Sequence, residues 1–279
     1  MLRISWVVVL LLILVVLSFW GFYISIKPPK ILSNITPADF DLDYEDVTFV
    51  TKDGLKLKGW FIPKTKRAKT IILLHGYPAD KGDILPALSF LHKNYNLFLF
   101  DFRYLGQSEG KYSTAGAKER YDLEAAVKYL KSRGIKEVGI WGFSMGGAVA
   151  LMTAENLPEI KAIVAESSYA RLSLMTVELY QLPILRNLLG FLTTLWAKAI
   201  LGIDATEVAP VESARNLQIP VLLIHSKNDQ VIPFKNALLL QEALKNNPQA
   251  EFWFAHDLVH GQLGGDYQKR LEKFFKKSL

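Results

Sequence analysis

The 279-residue chain contains no cysteine. Disulfides, thiolate zinc sites, a cysteine nucleophile and a lipid-modified N-terminal cysteine are thereby excluded. The absence does not choose a compartment, because a cysteine-free chain is compatible with oxidising and reducing surroundings alike. Glycine (18) and proline (12) are too few for a collagen-like or low-complexity chain. Charge is sparse: 22% of residues are charged and 50% are hydrophobic, which excludes global disorder and leaves material for a sizeable core. The formal net charge is +6. Part of that excess lies in Lys64, Lys66, Arg67 and Lys69, and part in the last dozen residues. No aromatic residues are interleaved with the basic run, so no nucleic-acid partner is expected. A solvated turn and a solvated helix face are the plain reading, and attraction to anionic lipid headgroups is the sharper one.

Charge is missing altogether from residues 4–26, a run dense in Val, Leu and Ile. A helix of that length reaches about 35 Å, enough for a hydrocarbon core of about 30 Å. Trp20 and Tyr23 lie near its end, where amphipathic rings favour the interface, and Lys27, Pro28, Pro29 and Lys30 stop the helix. The rival is a cleaved signal peptide, for which Ser18 ends the one passable cleavage site. The apolar run continues past it through Phe19, Trp20, Phe22 and Tyr23, which favours an uncleaved single-pass anchor over residues 1–26. Flanking charges are nearly balanced, with Arg3 and the amino terminus on one side and Lys27 and Lys30 on the other. The reading adopted is N-terminus inside and the bulk of the chain outside the cytoplasm. Residues 27–45, with Pro28, Pro29 and Pro37, read as a linker. The anchor is expected to contribute nothing to the catalytic triad, so a chain beginning near Pro37 should keep its activity.

From residue 46 onward, strand and helix patterns alternate. Two β-rich runs, 46–51 and 55–63, flank Asp53-Gly54, a strong hairpin signal. Short apolar runs at 70–74, 96–100, 137–141, 160–165, 220–224 and 251–254 have the character of buried parallel strands. Amphipathic stretches lie between them, residues 118–133 being the clearest. This pattern predicts a mostly parallel, doubly wound α/β sheet entered through an antiparallel hairpin, in one domain over 46–279. No internal repeat is present. Ligands of such sheets bind at the carboxyl ends of the strands. Between 166 and 220 the alternation breaks. Residues 172–202 carry only Glu178, Arg186 and Lys198 as charges, which predicts a helical lid over about 169–216. Some of its apolar side chains, from a set that includes Met175, Leu179, Leu188 and Trp196, are expected to line an acyl pocket above Ser144.

The motif that carries chemistry is Gly142-Phe143-Ser144-Met145-Gly146-Gly147, between a strand and a helix expected over 148–156. This is G-x-S-x-G in its strand–turn–helix setting. The serine must sit on a tight turn, so positions two residues away must lack side chains for strand and helix to approach. The hydroxyl then projects at a helix N-terminus, where the dipole favours a developing oxyanion.

On these residues the chain resembles the α/β-hydrolase superfamily over about residues 46–279. Leu73-Leu74-His75-Gly76-Tyr77-Pro78 resembles the strand end that builds half of that family's oxyanion hole. The segment from Asp101 to Gly110 is similar to its D-x-R-G-x-G-x-S loop, and that from His225 to Pro233 to its acid loop. The membrane-anchored layout resembles the Bem46-like branch of serine hydrolases. Tyr104 and Ser226 stand where the family usually has glycine. The resemblance implies no cofactor and no metal. It implies oxyanion donors in the backbone N–H groups of Tyr77 and Met145.

A serine hydroxyl needs a base, and the base an orienting acid, which hydrolases of this fold supply in chain order Ser, acid, His. Asp229 follows the 220–224 strand and its short turn, whereas Asp204 and Glu207 follow no strand and Asp257 sits too close to the histidines. Of five histidines, His75 and His225 end strands, His92 lies in a helical stretch, and His256 and His260 follow the last strand. His260, followed by Gly261, sits deeper in that loop and is the expected base. His256 and His260 also have the spacing of a zinc pair, but glycines surround them and no third ligand is evident. The expected triad is therefore Ser144, Asp229 and His260. The expected activity is hydrolysis of small-molecule or lipid-like carboxylic esters or thioesters. A serine peptidase of the same fold and a non-catalytic binding protein are the alternatives, the latter predicting a degraded triad. No oligomeric state follows from the sequence.

Overall fold

The computed structural model describes residues 6–256, 259–262 and 264–279. The β-rich runs form eight strands: β1 Glu45–Val50, β2 Lys56–Ile62, β3 Thr70–Leu74, β4 Asn96–Phe100, β5 Val138–Phe143, β6 Ile160–Glu166, β7 Val221–Ser226 and β8 Ala250–Ala255. They make one sheet of order β1-β2-β4-β3-β5-β6-β7-β8. The hairpin β1–β2 is antiparallel, as is the β2–β4 pair, and all later pairs are parallel. Every residue of β3 and β4 is buried, which is why those runs are continuously apolar rather than alternating.

Helices cover both faces: α1 Trp6–Ile26, α2 Lys81–Leu88, α3 Glu119–Ser132, α4 Met145–Ala154, α5 Leu172–Glu178, α6 Arg186–Leu201, α7 Pro210–Ala214, α8 Lys235–Ala243 and α9 Tyr267–Ser278. One apolar core holds Phe98, Phe100, Leu123 and Val149, and a second holds Ile71, Leu99, Trp141 and Phe275. Helices α5, α6 and α7 lie in the long connection between β6 and β7; α5 and α6 pack on each other as a cap, whereas α7 packs against α4 and joins the main core.

Two boundaries differ from the sequence expectation. Strand β5 runs on to Phe143, and α4 starts at Met145 rather than at residue 148. Gly146 and Gly147 have weak helix propensity, but every residue of α4 is buried, and close packing overrides it. Residues 27–45 contain a short 3-10 turn, Pro37–Phe40, and are laid along the domain. The Pro28 carbonyl accepts from the Tyr104 hydroxyl at 2.9 Å, and the Ser33 amide donates to Asp80 Oδ2 at 2.7 Å. Asp80 also caps α2 by accepting from Gly82 and Asp83. Tyr104 has φ 68°, the left-handed region that favours glycine. Here its side chain is used to hold Pro28, so the departure from the family glycine has a local purpose.

Behind this loop sits a buried charge cluster. Arg103 Nη2 donates to Asp122 Oδ1 at 2.7 Å, and Nη1 donates to Asp53 Oδ2 at 2.7 Å. Arg103 and Asp122 are buried, whereas Asp53 is partly open to water. Burial works against ionisation of Asp53, but the Arg103 and Thr51 hydrogen bonds outweigh it and hold the carboxyl at about 2. Arg103→Met should destabilise the fold by about 3–5 kcal/mol, because it strands the Asp122 charge in the interior. Asp53→Asn should cost about 1 kcal/mol or less. Urea unfolding of the two variants checks the ranking, and equal losses would show that burial is not what makes the cluster matter.

Candidate active site

Ser144 links β5 to α4 with φ 52° and ψ −113°, a conformation that a serine adopts only under constraint. The constraint is contact. A methyl group on Gly142 would stand 2.6 Å from the Gly146 carbonyl and the Gly147 nitrogen, and one on Gly146 would stand 2.5 Å from the Leu74 oxygen. A methyl group on Gly147 would collide with the Ser168 hydroxyl. Strand and helix therefore touch backbone to backbone, and the serine between them turns outward. Its amide donates to the Glu166 carbonyl at 2.8 Å, which ties the turn to β6. Met145 is the first helical residue, so its amide has no acceptor inside α4.

The loop after β3 passes beside the elbow. A methyl group on Gly76 would stand 2.8 Å from Phe143 and 3.3 Å from Ser144 Cβ, which puts Tyr77 at the edge of the same site. His75 fixes that loop. Its Nδ1 lies 2.7 Å from the Gly76 carbonyl, and its Nε2 lies 3.0 Å from the Phe102 amide. Nδ1 must donate and Nε2 accept, so the ring is neutral, in keeping with a pKa lowered by burial.

Asp229 follows β7, and its Oδ1 accepts from the Val231 and Ile232 amides at 2.9 and 2.8 Å. Its Oδ2 lies 2.7 Å from His260 Nδ1. Burial would raise the Asp229 pKa, but the hydrogen bonds from His260 and Ile232 hold it below the usual carboxylate value. His260 lies in the β8–α9 loop, with its ring centroid 4.7 Å from that of Phe143, the neighbour of Ser144. His256 is exposed and lies 3.1 Å from Lys227 Nζ, away from Asp229. Asp257 lies outside the described residues. His225 donates from Nε2 to the Ile232 carbonyl at 2.8 Å, and burial lowers its pKa. His92 contacts the Pro63 carbonyl at 3.0 Å. In the cap, Asp204 pairs with Lys198. The elbow serine, Tyr77, Met145, Asp229 and His260 thus converge on one region.

A cavity of about 490 Å³ opens above Ser144, lined also by Tyr77, Met145, Met175, Leu201 and Ile232. That is within the range of about 300–1,000 Å³ usual for small-molecule sites. The expectation that Leu188 and Trp196 line it is not met. Trp196 Nε1 donates to Ser18 Oγ at 3.1 Å and packs edge-on against Phe19, and Leu188 faces outward. Helix α6 turns that flank toward α1 and gives Thr193, Ala197 and Leu201 to the cavity. Helix α1 supplies Phe22, Ser25 and Ile26 to the same wall. The N-terminal helix adds no member to the expected triad, yet it forms part of the cavity wall beside Ser144. A signal was available: Ser18 and Gly21 are small residues on one face of an otherwise bulky apolar run.

A mostly parallel sheet, a capped cavity at its carboxyl edge and a serine on a strand–helix elbow define the class. Residues 69–201 match the model of the alpha/beta hydrolase fold family. The chain is 30% identical over 240 residues to the YqkD protein of Bacillus subtilis, covering 79% of this chain and 75% of that one. It is 27% identical over 230 residues to protein bem46 of Schizosaccharomyces pombe, covering 78% and 72%. The structure of the Pyrococcus furiosus esterase Pf2001 superposes with a TM-score of 0.77 at 31% identity, covering 91% of this chain and 99% of that one. The chain belongs to the α/β-hydrolase family and is a Bem46-like member of it.

A buried network that the sequence did not announce lies behind the elbow. Trp141 Nε1 donates to the Tyr267 hydroxyl at 2.9 Å, which donates to Glu166 Oε2 at 2.6 Å. Burial pushes the Glu166 carboxyl up to about 7 despite the Tyr267 bond. The folded chain then keeps a proton that the unfolded chain releases near pH 4.5. Stability should fall as pH rises from about 4.5 to about 7 and level off above it. Glu166→Gln should reduce that slope, to which the buried Asp122 carboxyl, also raised to about 7, contributes as well, read from urea midpoints at pH 5, 6, 7 and 8. An unchanged slope would locate the titration elsewhere.

Proposed function

We propose that the protein is a serine hydrolase that cleaves carboxylic esters or thioesters through an acyl-enzyme. The observation that carries this reading is the Asp229–His260 hydrogen bond of 2.7 Å beside the elbow of Ser144, at the floor of an apolar cavity. Ser144 attacks the acyl carbonyl while His260 Nε2 takes its proton. Asp229, held by two amides, keeps the proton on Nδ1 and stabilises the imidazolium. The backbone N–H groups of Met145 and Tyr77 receive the tetrahedral oxyanion, each such donor being worth about 3 kcal/mol. Protonated His260 delivers its proton to the leaving group, and water then resolves the acyl-enzyme by the same route. His75 keeps Tyr77 in register for this role. The apolar lining suits acyl groups, with about 0.8 kcal/mol of binding for each buried methylene.

In this reading residues 1–26 are a single-pass membrane anchor and residues 27–45 lead to a catalytic domain over 46–279, with its lid over about 169–216. The described part of the anchor, α1, is long and apolar enough to cross a bilayer. The catalytic domain lies outside the cytoplasm. The esterase title of the Pyrococcus furiosus neighbour supports ester chemistry.

Ser144→Ala should abolish ester hydrolysis and fluorophosphonate labelling while the protein still folds. His260→Ala and Asp229→Ala should each cost about a thousandfold or more in kcat, with losses that do not add. Labelling of Ser144→Ala at the wild-type rate would sink the assignment. Inactivation by His256→Ala but not His260→Ala would move the base.

A further inference from the structure

Helix α1 has two kinds of surface. Leu14, Ser18, Gly21 and Phe22 are buried, at spacings of 4, 3 and 1 residues that share one face. This face docks on the cap. The Tyr180 hydroxyl and Thr193 Oγ1 approach the Ser18 carbonyl at 3.3 and 3.5 Å, and a methyl group on Gly21 would collide with Tyr180. Among the described residues the rest of α1 is largely exposed, including Val8, Leu11, Leu12, Val16, Trp20 and Ile24. Ser18 lies eight residues before the helix end, about 12 Å along the axis. If α1 crosses a bilayer, α6 must stand beside a segment that is well inside the hydrocarbon.

The cap is built for that position. Between Arg186 and Lys198, α6 carries no charge. On α6 Leu188, Phe191 and Leu195 form an exposed stripe at spacings of 3 and 4 residues, and Ile184 in the turn before it is 94% exposed. With the exposed apolar side chains of α1 they make a run of large apolar groups of the kind that marks a membrane or protein contact. The polar atoms of Ser18, Tyr180, Thr193 and Trp196 bond to one another between the two helices, so the interface is satisfied without water. The cavity lies under this same pair, with Phe22 and Ile26 on one side and Ala197 and Leu201 on the other.

We propose that α6, with its exposed stripe and Ile184, is sunk in the bilayer leaflet at the C-terminal end of α1, and that the substrate is a long-chain acyl ester resident in that leaflet, whose chain enters the cavity laterally along Phe22 and Ile26. This deepens the serine-hydrolase reading above and rests on it. The ester stands at the level of Ser144, and the chain never crosses water. The helix that anchors the protein is also one wall of its acyl site.

The cysteine-free chain permits a direct test. Full-length Phe191→Cys, Leu195→Cys and Lys66→Cys proteins, labelled with bimane, are reconstituted in phosphatidylcholine vesicles containing nitroxide lipids. Labels at 191 and 195 should be quenched several-fold more than the label at 66, an exposed position in the β2–β3 loop. Equal quenching at the three positions overturns the proposal, as does a mature N-terminus at Phe19. In the same vesicles without nitroxide, Phe22→Trp, which narrows the cavity from the α1 side, should lower the ratio of palmitoyl to acetyl ester turnover by about tenfold. An unchanged ratio overturns entry along α1. Loss of the ratio effect with quenching intact leaves the cap embedded but removes the substrate claim. If no ester turnover depends on Ser144, the hydrolase reading fails and the substrate claim falls with it, while quenching still reports where the cap lies.

Discussion

Backbone contact between β5 and α4 is the constraint on which the site depends. Gly142 meets Gly146 and Gly147 at distances that no Cβ would tolerate, and Gly146 presses on the carbonyls of Leu74 and His75. Three segments thus share one point: the Ser144 elbow, the end of β3 and the start of α4. Ser144 is held at φ 52° because the chain on both sides of it is already fixed. The strain is a consequence of packing, and packing on this scale does not relax locally. The Glu166 carbonyl anchors the elbow from the far side, and the Glu166 side chain is itself fastened through Tyr267 to Trp141 on β5.

A second layer of attachments places the cap and the N-terminal helix against this centre. The carbonyls that end α1 are satisfied by the catalytic domain. Ser25 O accepts from the Tyr77 hydroxyl at 2.8 Å, and Ile26 O accepts from the Ser113 amide at 2.9 Å. Helix ends leave such carbonyls without internal partners, so a partner from elsewhere fixes the end in place. Tyr77 therefore belongs to two structures at once. Its backbone flanks the elbow, and its ring holds the last turn of α1.

The fold was legible where local pattern and tertiary role coincide. The six later strands lie on the short apolar runs because a buried parallel strand needs continuous hydrophobicity over about five residues, and the first two lie on either side of the Asp53-Gly54 hairpin signal. The elbow was legible because close approach demands glycines at fixed offsets from one serine. Asp229 and His260 are 31 residues apart and hydrogen-bonded, and each follows a strand edge that the pattern locates. Facing is legible in α1 only from Ser18 and Gly21, and in α6 not at all: a helix apolar on most sides does not show which side meets protein, and Trp196 and Leu188 turn away from the cavity. The Glu166–Tyr267–Trp141 network spans more than 100 residues of sequence and has no local signature. Nor does composition reveal that the proline-rich stretch after α1 is fastened down by Tyr104 and Asp80.

The fixed end of α1 also divides that helix into two mechanical regimes. Between Ser18 and Pro28 every contact depends on residue count, because one inserted residue would turn the docking face by about 100° and advance it by about 1.5 Å. Ser18 would then leave Trp196 and Tyr180, or else Ser25 would leave Tyr77. Before Leu14 the described side chains are mostly exposed, so the cap sets the register there less tightly. In the proposed membrane-anchored arrangement, the segment from Ser18 to Pro28 is then a spacer of fixed length that sets how far Ser144 stands from the bilayer.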